Sequence, residues 1–132
     1  MIHYLNEDFA RVNYYPQNNL VEVIWHKSNT NNQYRQTITA AYNVVVKYGA
    51  NKWISDMRNG GVISIDNQKW LKEEMVPKAV RSGLRRVALV VSKDIFNLFY
   101  AKNIKNTLQE SFQSKYFDDV EKAYQWLLEA HI

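Results

Sequence analysis

The sequence contains no cysteine, which removes disulfides, thiolate metal centres, iron–sulfur clusters and cysteine nucleophiles together. That absence suits a reducing compartment, and a cytoplasmic location is expected. No stretch approaches the ~20 apolar residues of a membrane span. The opening Met1-Ile2-His3-Tyr4-Leu5-Asn6-Glu7-Asp8 lacks a basic region followed by an apolar run, so neither export nor membrane insertion is expected. Histidine is sparse: His3, His26 and His131 are scattered and form no pair at helical ligand spacing, so no metal is expected. There is no Gly-x-Ser-x-Gly elbow and no complete phosphate-loop or dinucleotide glycine pattern, so neither an enzyme nor a cofactor is indicated.

What is present reads as one domain over residues 1–132, at 46% hydrophobic and 23% charged. The net charge of +4 would suit an anionic partner. Its densest part, Lys78, Arg81, Arg85 and Arg86, surrounds an expected helix end, where cations interact favourably with the helix dipole. The structural reading is preferred and nucleic-acid binding is not expected.

Phe9 to Tyr15 alternates, with Ala10, Val12 and Tyr14 on one face and Phe9, Arg11, Asn13 and Tyr15 on the other. Pro16-Gln17-Asn18-Asn19 supplies turn chemistry, and Leu20 to Trp25 returns, giving a β-hairpin. Ile2 to Leu5 offers an additional short edge strand. After the polar run Ser28 to Asn32, apolar residues Tyr34, Ile38, Ala41, Val45 and Tyr48 recur at helical spacing until Gly49. Lys52 to Met57 is a short strand. A helix from Ser64 or Asp66 carries Trp70, Leu71, Met75, Val76, Ala79 and Val80, with a kink or break expected between Glu73 and Pro77.

Arg86 to Val91 has the unbroken apolar character of a strand covered on both faces, and a mid-sheet place is expected. Ser92 or Asp94 caps a helix through Ile95, Phe96, Phe99 and Ile104 to Leu108, and Phe112 to Phe117 is a final strand. Asp118 and Glu121 have capping-box spacing before a last helix bearing Val120, Ala123, Tyr124, Leu127 and Leu128. The order β-β-α-β-α-β-α-β-α predicts an α/β fold. Its sheet is mixed, of about five strands, mostly parallel after the hairpin, with about four helices.

Particular segments also resemble a family. Leu20-Val21-Glu22-Val23-Ile24-Trp25, Gly49 to Arg58, Gln68-Lys69-Trp70-Leu71, Val76-Pro77-Lys78-Ala79 and Gly83 to Ala88 together resemble the SpoIIAA-like proteins. These are small bacterial domains similar to the STAS fold of anti-sigma-factor antagonists. Tyr116-Phe117-Asp118, Glu121-Lys122-Ala123 and Trp126-Leu127 look like that family's closing strand and helix. The resemblance implies a STAS-like fold and an interaction role. STAS antagonists carry an Asp-Ser-Gly core at a phosphorylatable serine, whereas Asp56 to Ser64 has no such core, and Ser64 is a positional candidate alone.

Ligands in open α/β sheets bind beyond the carboxyl ends of parallel strands, near a reversal of strand order. Two loops qualify. The first holds Asp56, Arg58, Gly60, Gly61 and Ser64, and the second Ser92, Lys93 and Asp94. Glycine amides, a helix start and the charges of Arg58 and Lys93 would suit an anion, while a turn, a cap and an Asp56–Arg58 contact are the plainer roles. Tyr14, Tyr15, Trp25, Phe96, Phe99 and Tyr100 are core residues or the lining of an apolar pocket or interface, with core preferred. Two functions stay open. One is a non-enzymatic module binding a protein partner or a second copy of itself, and the other a carrier or sensor of a small apolar or anionic ligand.

Overall fold

The alternation read from the sequence is realised in a computed structural model that describes residues 1–93, 106, 108 and 111–129. The described strands are β1 (Ile2–Asn6), β2 (Ala10–Tyr15), β3 (Leu20–Trp25), β4 (Lys52–Asp56), β5 (Arg86–Val90) and β6 (Gln113–Phe117). The helices are α1 (Asn31–Tyr48), α2 (Ile65–Trp70), α3 (Val76–Arg81) and α4 (Val120–Leu128), with a wide π turn, Leu71–Met75, joining α2 to α3. Among the described residues the sheet has six strands rather than about five, because Ile2–Asn6 pairs antiparallel with β2 as a full edge strand.

Local chemistry fixes the boundaries. Asn19 closes the β2–β3 turn at φ 51, in the left-handed region where asparagine is tolerated. Its side chain accepts from Tyr14 Oη at 2.8 Å and donates to the Gly49 carbonyl at 2.9 Å. Thr30 and Gln33 form a reciprocal capping box on α1, and Gly49 ends that helix at φ 64. Ser64 caps α2 by accepting from the Asn67 amide at 3.1 Å. The break expected before Pro77 takes the form of the π turn, in which the Val76 amide reaches back to the Leu71 carbonyl. A proline cannot supply the next helical donor, and the wider turn absorbs the mismatch before α3 resumes.

Strands follow one another in space in the order of the chain, antiparallel from β1 to β3 and parallel from β3 to β6. Among the described strands the order never reverses, so the crevice expected at a reversal is absent. β5 is buried on both faces as expected, but it is fifth of six rather than central. Its apolarity reflects helices on both sides of the sheet, not a middle position.

One face carries the main core, where α1, the π turn and α3 pack on Val12, Val21, Val23, Trp25, Val87 and Leu89. The opposite face is covered over β4 to β6 by α4, which encloses a second core of Leu20, Ile54, Ala88, Val90, Ala123 and Leu127. The cap of α4 falls one residue later than its sequence spacing suggests. Asp119 accepts from the Glu121 amide at 2.8 Å, and Asp118 forms an exposed pair with Lys122 at 3.7 Å. The expected helix with Ile95, Phe96, Phe99, Tyr100 and Ile104 lies outside the described residues except at its end, where Asn106 and Leu108 are helical.

Candidate functional site

β4 ends at Asp56, and the chain then turns across the carboxyl ends of the parallel strands before entering α2. The Met57 amide donates to the Val90 carbonyl at 2.8 Å, which ties the start of this loop to β5. Arg58 folds back on Asp56 in a two-pronged contact, Nε to Oδ1 at 2.9 Å and Nη2 to Oδ2 at 2.7 Å. That hydrogen bonding, followed by the carboxylate's charge, pushes the guanidinium pKa up. The two charges therefore compensate each other, and Arg58 is engaged within the loop.

Gly60 and Gly61 seat the loop against the neighbouring segment. A Cβ on Gly60 would meet the Trp25 side chain, and one on Gly61, at φ +70, would meet Ser28. Trp25 in turn stacks on Tyr34 with ring centroids 5.2 Å apart, and Tyr34 meets Trp70 edge-on. Burial holds the Tyr34 phenol well above its ordinary pKa. Asn67, buried at the start of α2, accepts from Arg35 Nε at 2.8 Å and donates to the Asn31 carbonyl at 3.2 Å, fastening α2 to α1.

The loop thus has a closely packed footing and an apolar crest. Ile65 is 83% exposed and Val62 46% exposed, on either side of Ser64. Neither was singled out from the sequence, where single apolar residues in a polar loop carry no periodic signal. On the second loop Ser92 is half-buried and Lys93 exposed, and Asp94 lies outside the described residues. Asp56, Arg58, Gly60, Gly61 and Ser64 therefore share one loop. Their observed contacts are a paired charge, two close backbone approaches and a helix cap.

Beneath this loop, between the main-core face and the helices, lies an apolar cavity of about 70 Å³ that is partly open to solvent. Trp25, Tyr42, Trp53, Met57, Leu71 and Met75 are among its walls. Beside the tyrosines Tyr34 and Tyr42 it carries the Ser55 hydroxyl, which accepts from Trp25 Nε1 at 3.1 Å. Of the aromatics read as core or, less favoured, as pocket lining, Trp25 is buried in the main core and also lines this cavity. Tyr14 instead stacks on Tyr48, and Tyr15 lies on the opposite face against Tyr124.

That opposite face holds a polar cluster the sequence did not announce. Glu22 is 8% exposed in an otherwise apolar strand. Its Oε1 accepts from Asn13 Nδ2 at 2.9 Å and Tyr15 Oη at 3.0 Å, and its Oε2 accepts from Tyr124 Oη. Asn13 also meets His3 Nδ1 at 2.6 Å. A lone glutamate inside Leu20-Val21-Glu22-Val23-Ile24-Trp25 was the available signal, since a carboxylate there must find partners when its strand is covered. Among the described residues no group of histidines and carboxylates is arranged to hold a metal, and no helix is long and apolar enough to cross a membrane.

The family model described as SpoIIAA-like matches residues 20–128, from the first residue of β3 to the last of α4. No curated protein and no solved structure matches the chain.

Proposed function

The chain belongs to the SpoIIAA-like family, and from that premise we propose that it is a non-enzymatic regulatory module that engages a protein partner through the β4–α2 loop. Domains of this type commonly serve protein interaction or regulation and are generally not enzymes. The observation that carries the assignment to this loop is the exposed pair Val62 and Ile65 on a seat fixed by Gly60 and Gly61. An apolar crest rimmed by polar groups on a closely packed base is the arrangement of a recognition patch, because little ordering entropy is lost when it docks. The compensated Asp56–Arg58 pair and the capping role of Ser64 support recognition by shape and apolar contact over capture of a free anion.

A photo-crosslinking residue placed at Ile65, with a control at exposed Val46 on α1, tests this reading in native cell extract and with purified protein. A discrete adduct from position 65 and none from 46 is expected. Light scattering distinguishes a second copy of the chain from another protein. A monomer giving no adduct, or the same adducts from both positions, would overturn the reading.

The cavity favours a second reading, a carrier or sensor of a small apolar ligand. Its volume of about 70 Å³ is roughly half that of an engineered ~150 Å³ cavity that takes up benzene. Few heavy atoms fit within its walls, and for that reason the interaction reading ranks first. Native mass spectrometry of freshly purified protein separates the two. A mass equal to the bare chain removes the carrier.

A further inference from the structure

The arrangement around Glu22 concerns a different face from the loop and a different element, α4. This helix contributes Ala123 and Leu127 to the second core. Val120, Tyr124 and Trp126 pack around that core as well, and the helix is further tied to the sheet at two polar points. Near its end, Arg86 donates from Nη1 to the Trp126 carbonyl at 2.9 Å, with its guanidinium carbon 4.5 Å from the Trp126 ring centre. Near its middle, Tyr124 donates to Glu22 across a sequence separation of 102 residues and packs edge-on against Tyr15.

Glu22 is the unusual member. It is a buried carboxylate whose donors are an amide and two phenols, and among the described residues no cation pairs with it. Asn13 and Tyr15 come from β2, next to Glu22 in the sheet, and their backbone is placed by pairing with β3 rather than by α4. Tyr124 alone comes from α4, so detaching the helix removes one donor and leaves the carboxylate still held by two. The sheet is thus built to tolerate the loss, while the helix loses a charge-assisted bond, the stronger class of hydrogen bond.

We propose that α4 is a clamp that opens as a unit while the sheet stays folded, with the Glu22–Tyr124 contact as its latch. Opening uncovers Leu20, Ile54, Ala88 and Val90 and leaves β1 to β6 paired. Native-state hydrogen exchange on the full chain, comparing the parent with Tyr124→Phe, reads this directly, because locally opening segments exchange apart from the global core. Amide exchange in α4 is expected to rise between roughly tenfold and a hundredfold in the variant, the range for a hydrogen bond to a charged group. In the parent, amides of β3 to β5 should exchange more slowly than those of α4, and in the variant they should rise by no more than the same factor, since global unfolding breaks that bond as well.

Glu22→Gln should release α4 as well. In the double variant the two effects should be less than multiplicative, because both remove the same bond. Should Glu22→Gln fail to fold, Tyr124→Phe alone decides. Amides of α4 that exchange no faster than those of β3 to β5 in the parent, or unchanged α4 exchange in Tyr124→Phe, would overturn the proposal.

Discussion

A Cβ built on Gly60 would stand 2.8 Å from the Cβ of Trp25, closer than real side chains approach. The loop after β4 is therefore laid directly on the last residue of β3, and the tryptophan that props the loop also walls the cavity. Gly60→Ala must push the loop or Trp25 aside. The expected cost is about 1–3 kcal/mol, as for overpacking elsewhere, measured as a lower urea midpoint at constant slope. An unchanged midpoint would mean that the loop is not seated as described.

Ser55→Ala leaves the buried Trp25 Nε1–H without its acceptor. Such an orphaned donor costs about 1–3 kcal/mol, although the side chain removed is among the smallest. A change in tryptophan emission alongside the loss of stability would tie the effect to Trp25 rather than to β4 in general.

Met75 lies in the π turn and faces the cavity. Met75→Ala enlarges an existing void, so the expected loss is about 2–5 kcal/mol, toward the upper end where walls cannot collapse. A loss below about 1 kcal/mol would indicate that the π turn relaxes inward, a result also visible as unchanged uptake of xenon.

Ser64 separates two ideas about the loop. As a cap, Ser64→Ala should cost about 0.5–2 kcal/mol, whereas Ser64→Asp should keep nearly full stability because aspartate caps equally well. Thermal denaturation of the two variants gives the answer. Equal losses in both would remove capping as the role of this hydroxyl.

Alkali should unfold the protein earlier than its charge alone suggests. Burial holds the phenols of Tyr34 and Tyr124 above their ordinary pKa, and in Tyr124 the bond to Glu22 and that residue's charge add to the effect. Above about pH 10 the unfolded chain releases these protons while the folded chain retains them, so stability falls as pH rises. Below that pH neither phenol contributes to the slope. Tyr34→Phe should reduce the fall by up to one proton, about 1.4 kcal/mol per pH unit, in urea midpoints taken between about pH 9 and pH 11. An identical slope in the variant would show that Tyr34 titrates normally.

Much of the fold was legible because the deciding interactions are local. The β2–β3 hairpin, a helix cap within Ser28 to Asn32, the Gly49 stop and the Pro77 break each depend on residues within a few positions of one another. What escaped depends on distant partners. The mid-sheet place expected for β5 failed because covering both faces requires only helices on both sides, and α4, supplied from the far end of the chain, covers the second. The pairing of Asp56 with Arg58 was legible, being two residues apart. The burial of Glu22 was not, since one of its donors is Tyr124. Val62 and Ile65 became visible only once the loop's seat showed which residues are left outside.

The order β1 to β6 has a further consequence, for the way the sheet is assembled. Each strand leaving the ribosome meets a free edge that is already complete, so no gap has to be held open for a later strand and no exposed edge waits long for its partner. The sheet can grow in the direction of synthesis. The contact between Glu22 and Tyr124, 102 residues apart, is then among the last to form, and marks the moment at which the second face of the sheet is closed.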